Sequence, residues 1–156
     1  MKKQRPVEQQ TSPRNLIRVP VRYLLDVNAL VALGFLQHEF HQRVAQWVRA
    51  LASKGTPELA TCSITELGFI RVLAQAPQYG FTVSNGRSLL LRLKTGDALK
   101  FTFISDDHDV SHLPAWVKTP RQTTDGHLAQ LAKANGSILA TLDAKIPKAF
   151  LIPPSK

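Results

Sequence analysis

The sequence predicts an α/β domain built on a mainly parallel sheet of four or five strands. Short apolar runs alternate along the chain with segments whose apolar residues recur at helical spacing, the pattern of strands joined by helical crossovers. The 156 residues suffice for one core without staples. Composition agrees, with 44% hydrophobic and 20% charged residues. A single cysteine, Cys62, excludes a disulfide framework and a Cys-rich zinc site, and suits a reducing cytoplasm.

Taken in order, residues 1–20 are polar, hold three prolines and lack periodicity, and read as a flexible extension preceding a domain over residues 21–156. Tyr23-Leu24-Leu25 is a short buried strand ending at Asp26. Asn28 is placed to cap a helix over Ala29–Leu36. A second helix over His41–Ser53 carries Val44, Trp47, Val48 and Leu51 on one face, and Gly55 and Pro57 end it. Leu59–Cys62 is the second strand. Ser63 opens a helix with Leu67, Ile70, Val72 and Leu73 on its apolar face, and a further helix over Ser84–Lys94 closes at Gly96. Lys100–Ile104 alternates as a third strand. Asp125–Ala134 is amphipathic with Gly136 at its C-terminal cap, Ser137–Leu142 is the fourth strand, and Ala149–Ile152 is an edge fifth.

The net charge of +9 favours a polyanionic partner. Residues 1–22 hold six basic side chains against the one acid Glu8, so much of the excess sits at the N-terminus. That segment is either a solvated tail or an arm for nucleic acid. The most apolar run, Tyr23–Leu36, is interrupted by Asp26 and Asn28 and is too short to span a membrane.

The placement of four acids is informative. Asp26 ends the first strand, Glu66 lies early in the helix after the second, Asp125 opens the helix before the fourth strand, and Asp143 follows that strand. In a parallel sheet the carboxyl ends of the strands share one edge, where open α/β proteins bind ligands. Clustered carboxylates repel one another unless a cation lies between them. An all-oxygen donor set suits Mg²⁺ or Mn²⁺, which with a basic surface points to phosphodiester hydrolysis. Each acid has an ordinary alternative. Asp26 also reads as a turn residue or an aspartyl-phosphate nucleophile. Glu66 fits a capping box with Ser63. Asp125 fits a helix N-cap or first-turn acid, and Asp143 a turn before Lys145.

Leu24-Leu25-Asp26-Val27-Asn28-Ala29-Leu30 resembles the opening signature of PIN-domain nucleases. Thr61-Cys62-Ser63-Ile64-Thr65-Glu66, followed by Gly68-Phe69-Ile70-Arg71-Val72-Leu73, is similar to the second segment of one VapC toxin subgroup. Thr124-Asp125-Gly126-His127-Leu128-Ala129 and Gly136-Ser137-Ile138-Leu139-Ala140-Thr141-Leu142-Asp143 resemble the C-terminal pair. The similarity runs over residues 22–152 in the right order. It implies a three-layer α/β/α PIN fold, a Mg²⁺ or Mn²⁺ site and endonucleolytic cleavage of RNA. It further implies inhibition by a cognate antitoxin and a homodimeric toxin. By motif position Asp26, Glu66, Asp125 and Asp143 form the acidic cluster, with Asn28 and Thr141 as polar supports. The chain departs from the subgroup at Ile64 and Leu67, where Pro and Asn often flank the glutamate, and in its basic N-terminal extension.

His38, His41, His108, His112 and His127 lack the spacing of a zinc motif. Trp47 and Trp116 read as core or interface residues. Arg71, Arg87, Arg92 and Lys94 are candidate phosphate contacts. The leading expectation is thus a metal-dependent endoribonuclease. Its alternatives are a phosphatase using Asp26 as nucleophile and a catalytically silent PIN-like module that binds RNA or protein.

Overall fold

The computed structural model describes residues 19–156, so the predicted extension lies outside the described residues except for Val19 and Pro20. Five strands form one sheet: β1 (Arg22–Leu25), β2 (Glu58–Cys62), β3 (Lys100–Ile104), β4 (Ser137–Thr141) and β5 (Phe150–Leu151). Their spatial order is β3-β2-β1-β4-β5, and every neighbouring pair is parallel. Parallel neighbours need crossovers. These are supplied by α1 (Val27–Gly34), α2 (His41–Ala52), α3 (Ser63–Gln75), α4 (Val83–Thr95) and α5 (Gln122–Ala134).

Strand alternation divides the interior in two. Leu24 pairs in register with Ala60 and Leu139, and these three face a core filled by Leu128, Leu131 and Ala132 of α5. Leu25, Leu59 and Ala140 face the opposite way, onto Leu30, Val44, Phe69 and Leu90 of the other four helices. Helices therefore cover both faces, giving the predicted three-layer α/β/α arrangement. It explains why the central strands read as apolar runs rather than as alternating ones. Trp47 lies in the core beneath these four helices, edge-on to Tyr23 at 5.1 Å and stacked on Phe150 at 5.6 Å, and Trp116 packs against the core on the α5 side.

Two helix caps differ from the sequence reading. Asp26, not Asn28, caps α1: its Oδ1 accepts from the Ala29 amide at 2.7 Å. The expected Ser63–Glu66 capping box is also absent. Cys62 is the N-cap of α3, and its amide donates to Thr65 Oγ1 at 3.0 Å. Glu66 is thereby left free to bond elsewhere. The α5 helix begins at Gln122, three residues before Asp125, and Gly136 adopts the left-handed conformation (φ 64°) just past its end.

The chain moves outward from β1 through β2 to β3, then returns to the far side of β1 as β4. This reversal opens a crevice at the carboxyl ends of β1 and β4. Asp26 follows β1 there and Asp143 follows β4. Beside it, α3 approaches α1 so closely that a Cβ on Gly68 would meet Val27 Cγ2 at 2.5 Å. Gly68→Ala is therefore expected to destabilise the fold by about 1–3 kcal/mol, as measured by urea unfolding.

Candidate active site

Asp26 is buried at the centre of the sheet edge, 6% exposed. The Thr141 hydroxyl donates to its Oδ2 while the Ala29 amide donates to Oδ1. Thr141 Oγ1 in turn accepts from the Asp143 amide at 2.9 Å. One fully buried threonine thus ties the acid after β1 to the loop after β4. The Asp143 carboxylate, exposed, is oriented by the Lys145 amide, which donates to its Oδ1 at 2.8 Å. Asp125 stands half-buried in the first turns of α5, and lines a cleft with Asp143, Arg121, Lys145 and Trp116.

The electrostatics follow from this crowding. Burial pushes the Asp26 carboxyl up to about 6, against the hydrogen bonds from Thr141 and Ala29, with Asp125 and Asp143 adding repulsion. Burial also raises Asp125, and the neighbouring Asp143 carboxylate raises it further. Asp125 and Asp143 are therefore close enough to oppose ionisation of Asp26, and Asp143 that of Asp125.

Glu66 stands apart. Its Oε1 accepts from Thr61 Oγ1 at 2.6 Å and is ion-paired with Lys94 from the last turn of α4. The charges acting on Asp26 are Asp125 and Asp143, and the one acting on Asp125 is Asp143; Glu66 acts on neither. Asn28 is exposed and lines a second cleft beside Asp143, with His38 and Glu39.

Gly126, next to Asp125, sets how near α5 can come to the loop before it. A Cβ there would lie 2.2 Å from Val117 Cγ2 and 3.3 Å from Pro114 Cδ. Gly126→Ala is expected to displace the first turns of α5 and to cost about 1–3 kcal/mol of stability, which thermal unfolding will measure.

Sequence reasoning missed Arg121 and Lys145 as site residues. The available signal was their position, four residues before Asp125 and two after Asp143. Of the phosphate-contact candidates, Lys94 alone is drawn into a contact with one of the four acids, as the partner of Glu66. Among the histidines, His127 Nε2 bonds Asp106 Oδ2 at 2.6 Å, and His112 pairs with Asp109.

Among the described residues, no set of three or more His, Cys, Asp or Glu side chains converges closely enough to hold a metal ion as it stands. The donor chemistry nonetheless fits a hard divalent cation. The site's acids offer carboxylate oxygens, and the repulsion that Asp125 and Asp143 exert on Asp26, and Asp143 on Asp125, is what such a charge relieves.

A family model, the PIN domain, matches residues 23–150. The chain belongs to the PIN-domain family. Within it, its relatives are VapC proteins. Ribonuclease VapC38 of Mycobacterium tuberculosis is 37% identical over 79% of this chain and 86% of its own length. Ribonuclease VapC44 of the same species is 33% identical over 81% and 89% respectively. Two solved structures share the fold of this PIN domain. VapBC2 from Rickettsia felis, bound to a promoter DNA fragment, superposes with a TM-score of 0.53 at 16% identity, covering 84% of this chain and 97% of that one. PAE2754 from Pyrobaculum aerophilum gives 0.52 at 19%, covering 91% and 93%. The acids after β1 and β4 and in α5 fall within the matched PIN segment. Among the described residues no helix is long and apolar enough to cross a membrane.

Proposed function

We propose that this PIN domain is an endoribonuclease toxin of the VapC type, hydrolysing RNA phosphodiester bonds with Mg²⁺ or Mn²⁺. The observation that carries this reading is the gathering of Asp26, Asp125 and Asp143 at the switch point of a PIN fold, with ionisation of Asp26 and Asp125 opposed by burial and by a neighbouring aspartate. Asp26, Asp125 and Asp143 would hold the cation, with Glu66 as the fourth acid. When bound, it would lower the pKa of a water and offset charge on the phosphate. Thr141 orients Asp26 through its hydroxyl and fixes the Asp143 loop by accepting from that residue's amide. Asn28, at the rim beside Asp143, is assigned as the second polar support. Arg121 and Lys145 flank the Asp125–Asp143 cleft and are placed to meet RNA phosphates. A cognate antitoxin, by likeness to the VapB partner in the Rickettsia felis complex, would restrain the enzyme, which would act as a cytoplasmic homodimer.

The test incubates purified chain with end-labelled single-stranded RNA and, separately, with p-nitrophenyl phosphate. Discrete RNA fragments with the phosphomonoester untouched are expected. Turnover of the phosphomonoester with intact RNA would instead support Asp26 as a covalent nucleophile. Binding without cleavage would reduce the chain to an RNA-binding module. Co-expression with the product of an adjacent antitoxin reading frame should suppress cleavage.

The basic N-terminal segment is assigned as an RNA-binding arm. Removing residues 1–20 should leave a folded domain whose RNA affinity falls mainly at low salt. Fluorescence anisotropy across a salt series measures this, and equal affinities at every salt concentration would exclude the arm.

A further inference from the structure

The pairing of Glu66 with Lys94 separates one acid from the other three. Both side chains are mostly shielded, at 23% and 20% exposure. The same oxygen of Glu66, Oε1, accepts from Lys94 and from Thr61 Oγ1, while Oε2 makes no hydrogen bond to a described residue. The ammonium is held from a second side, its Nζ lying 5.3 Å from the ring centroid of Phe103 on β3. Thr61 and Phe103 are register partners on adjacent strands, so both supports belong to the rigid sheet.

We propose that Lys94 is a built-in competitor for the divalent cation, holding Glu66 in the cation-free chain and yielding it when the ion binds. The inference rests on the reading that the aspartates take such a cation. Its physical basis is that the Lys94 ammonium and a divalent ion drawn to the same carboxylate repel one another, so each weakens the hold of the other on Glu66. Binding of the ion and pairing with Lys94 are therefore linked with opposite sign, and removing the lysine must tighten ion binding. Lys94 is in this sense a positioning residue, acting through Glu66.

The experiment is calorimetric titration of the full chain with Mn²⁺ alone, using wild type, Lys94→Met, Lys94→Arg, Glu66→Gln and the Lys94→Met/Glu66→Gln double variant. Lys94→Met should bind Mn²⁺ about 5- to 50-fold more tightly than wild type, a span typical of coupled binding equilibria. Lys94→Arg should stay near wild type, because it restores a cation to Glu66. In the Glu66→Gln background the effect of Lys94→Met should vanish. Persistence there would show a general loss of positive charge rather than release of Glu66, and would overturn the proposal. Equal affinities of wild type and Lys94→Met would also overturn it, while leaving the metal site intact. If wild type binds no Mn²⁺, the metal reading falls and this inference with it. Should Lys94→Met fail to fold by circular dichroism, Lys94→Gln carries the same expectations.

Discussion

Replacing Asp26 with asparagine is expected to abolish RNA cleavage and to leave a folded chain that is more stable than wild type at neutral pH. The loss of activity follows from removing a charge at the centre of the acidic edge. It should exceed the roughly 10- to 100-fold that removal of a mere ligand support costs. The fold survives because asparagine keeps an oxygen for the Ala29 amide, and is itself a good helix cap. The gain in stability follows from the raised pKa. Asp26 titrates near 3.8 when unfolded and at about 6 when folded. The folded state therefore holds a proton that the unfolded state has lost, and stability falls as pH rises through that window. The difference corresponds to ~3 kcal/mol as an upper order of magnitude above pH 6. The uncharged asparagine carries no such penalty. Urea unfolding at pH 8 should show the variant ahead by about 1–3 kcal/mol, with the gap closing below pH 4. Wild-type activity in the variant, from contaminant-free preparations, would remove Asp26 from the chemistry.

Thr141→Val is expected to lower activity by about 10- to 100-fold and to move its pH dependence. The threonine is fully buried, donates to Asp26 Oδ2 and accepts from the Asp143 amide. Valine preserves shape but leaves two buried polar groups short of a partner, at a cost of about 1–3 kcal/mol. The Thr141 hydrogen bond is also what pulls Asp26 down against burial. Without it the carboxyl rises further, so the acidic limb of the pH–rate profile should shift to higher pH. Thr141→Ser should restore both activity and the limb. A threonine that only filled space would change stability and leave the limb in place.

The layered fold was legible because β1, β2 and β4 are covered on both faces, which writes them as unbroken apolar runs between helical periods. Even the two-residue strand Phe150–Leu151 fell within its predicted span. Helix starts were less legible for a local reason. Asp26 and Asn28 are both capping residues two apart, and only the path of the chain decides which one stands at the helix start, as Asp26 does in accepting from the Ala29 amide. At α3, Ser63 opens the helix as expected, but the cap is Cys62 with Thr65 as its partner rather than Ser63 with Glu66.

The site was legible where acids end strands. Asp26 and Asp143 reach a common edge because parallel pairing aligns Leu25 with Ala140. The contact between Lys94 and Glu66 was not legible. It joins residues 28 positions apart through a long side chain, and periodicity carries no information about where such a chain ends. Arg121 escaped notice for a related reason, since it lies just before α5 and only the packing of that helix brings it to the cleft of Asp125.

The most direct test of a cation-dependent acidic edge is cleavage of a defined RNA by the purified chain under chelation and metal add-back. Fragments are expected with Mg²⁺ or Mn²⁺, none with EDTA, recovery when the ion is restored in excess, and no fragments from Asp26→Asn under any of these conditions. Cleavage that continues undiminished in EDTA would contradict a cation-dependent edge.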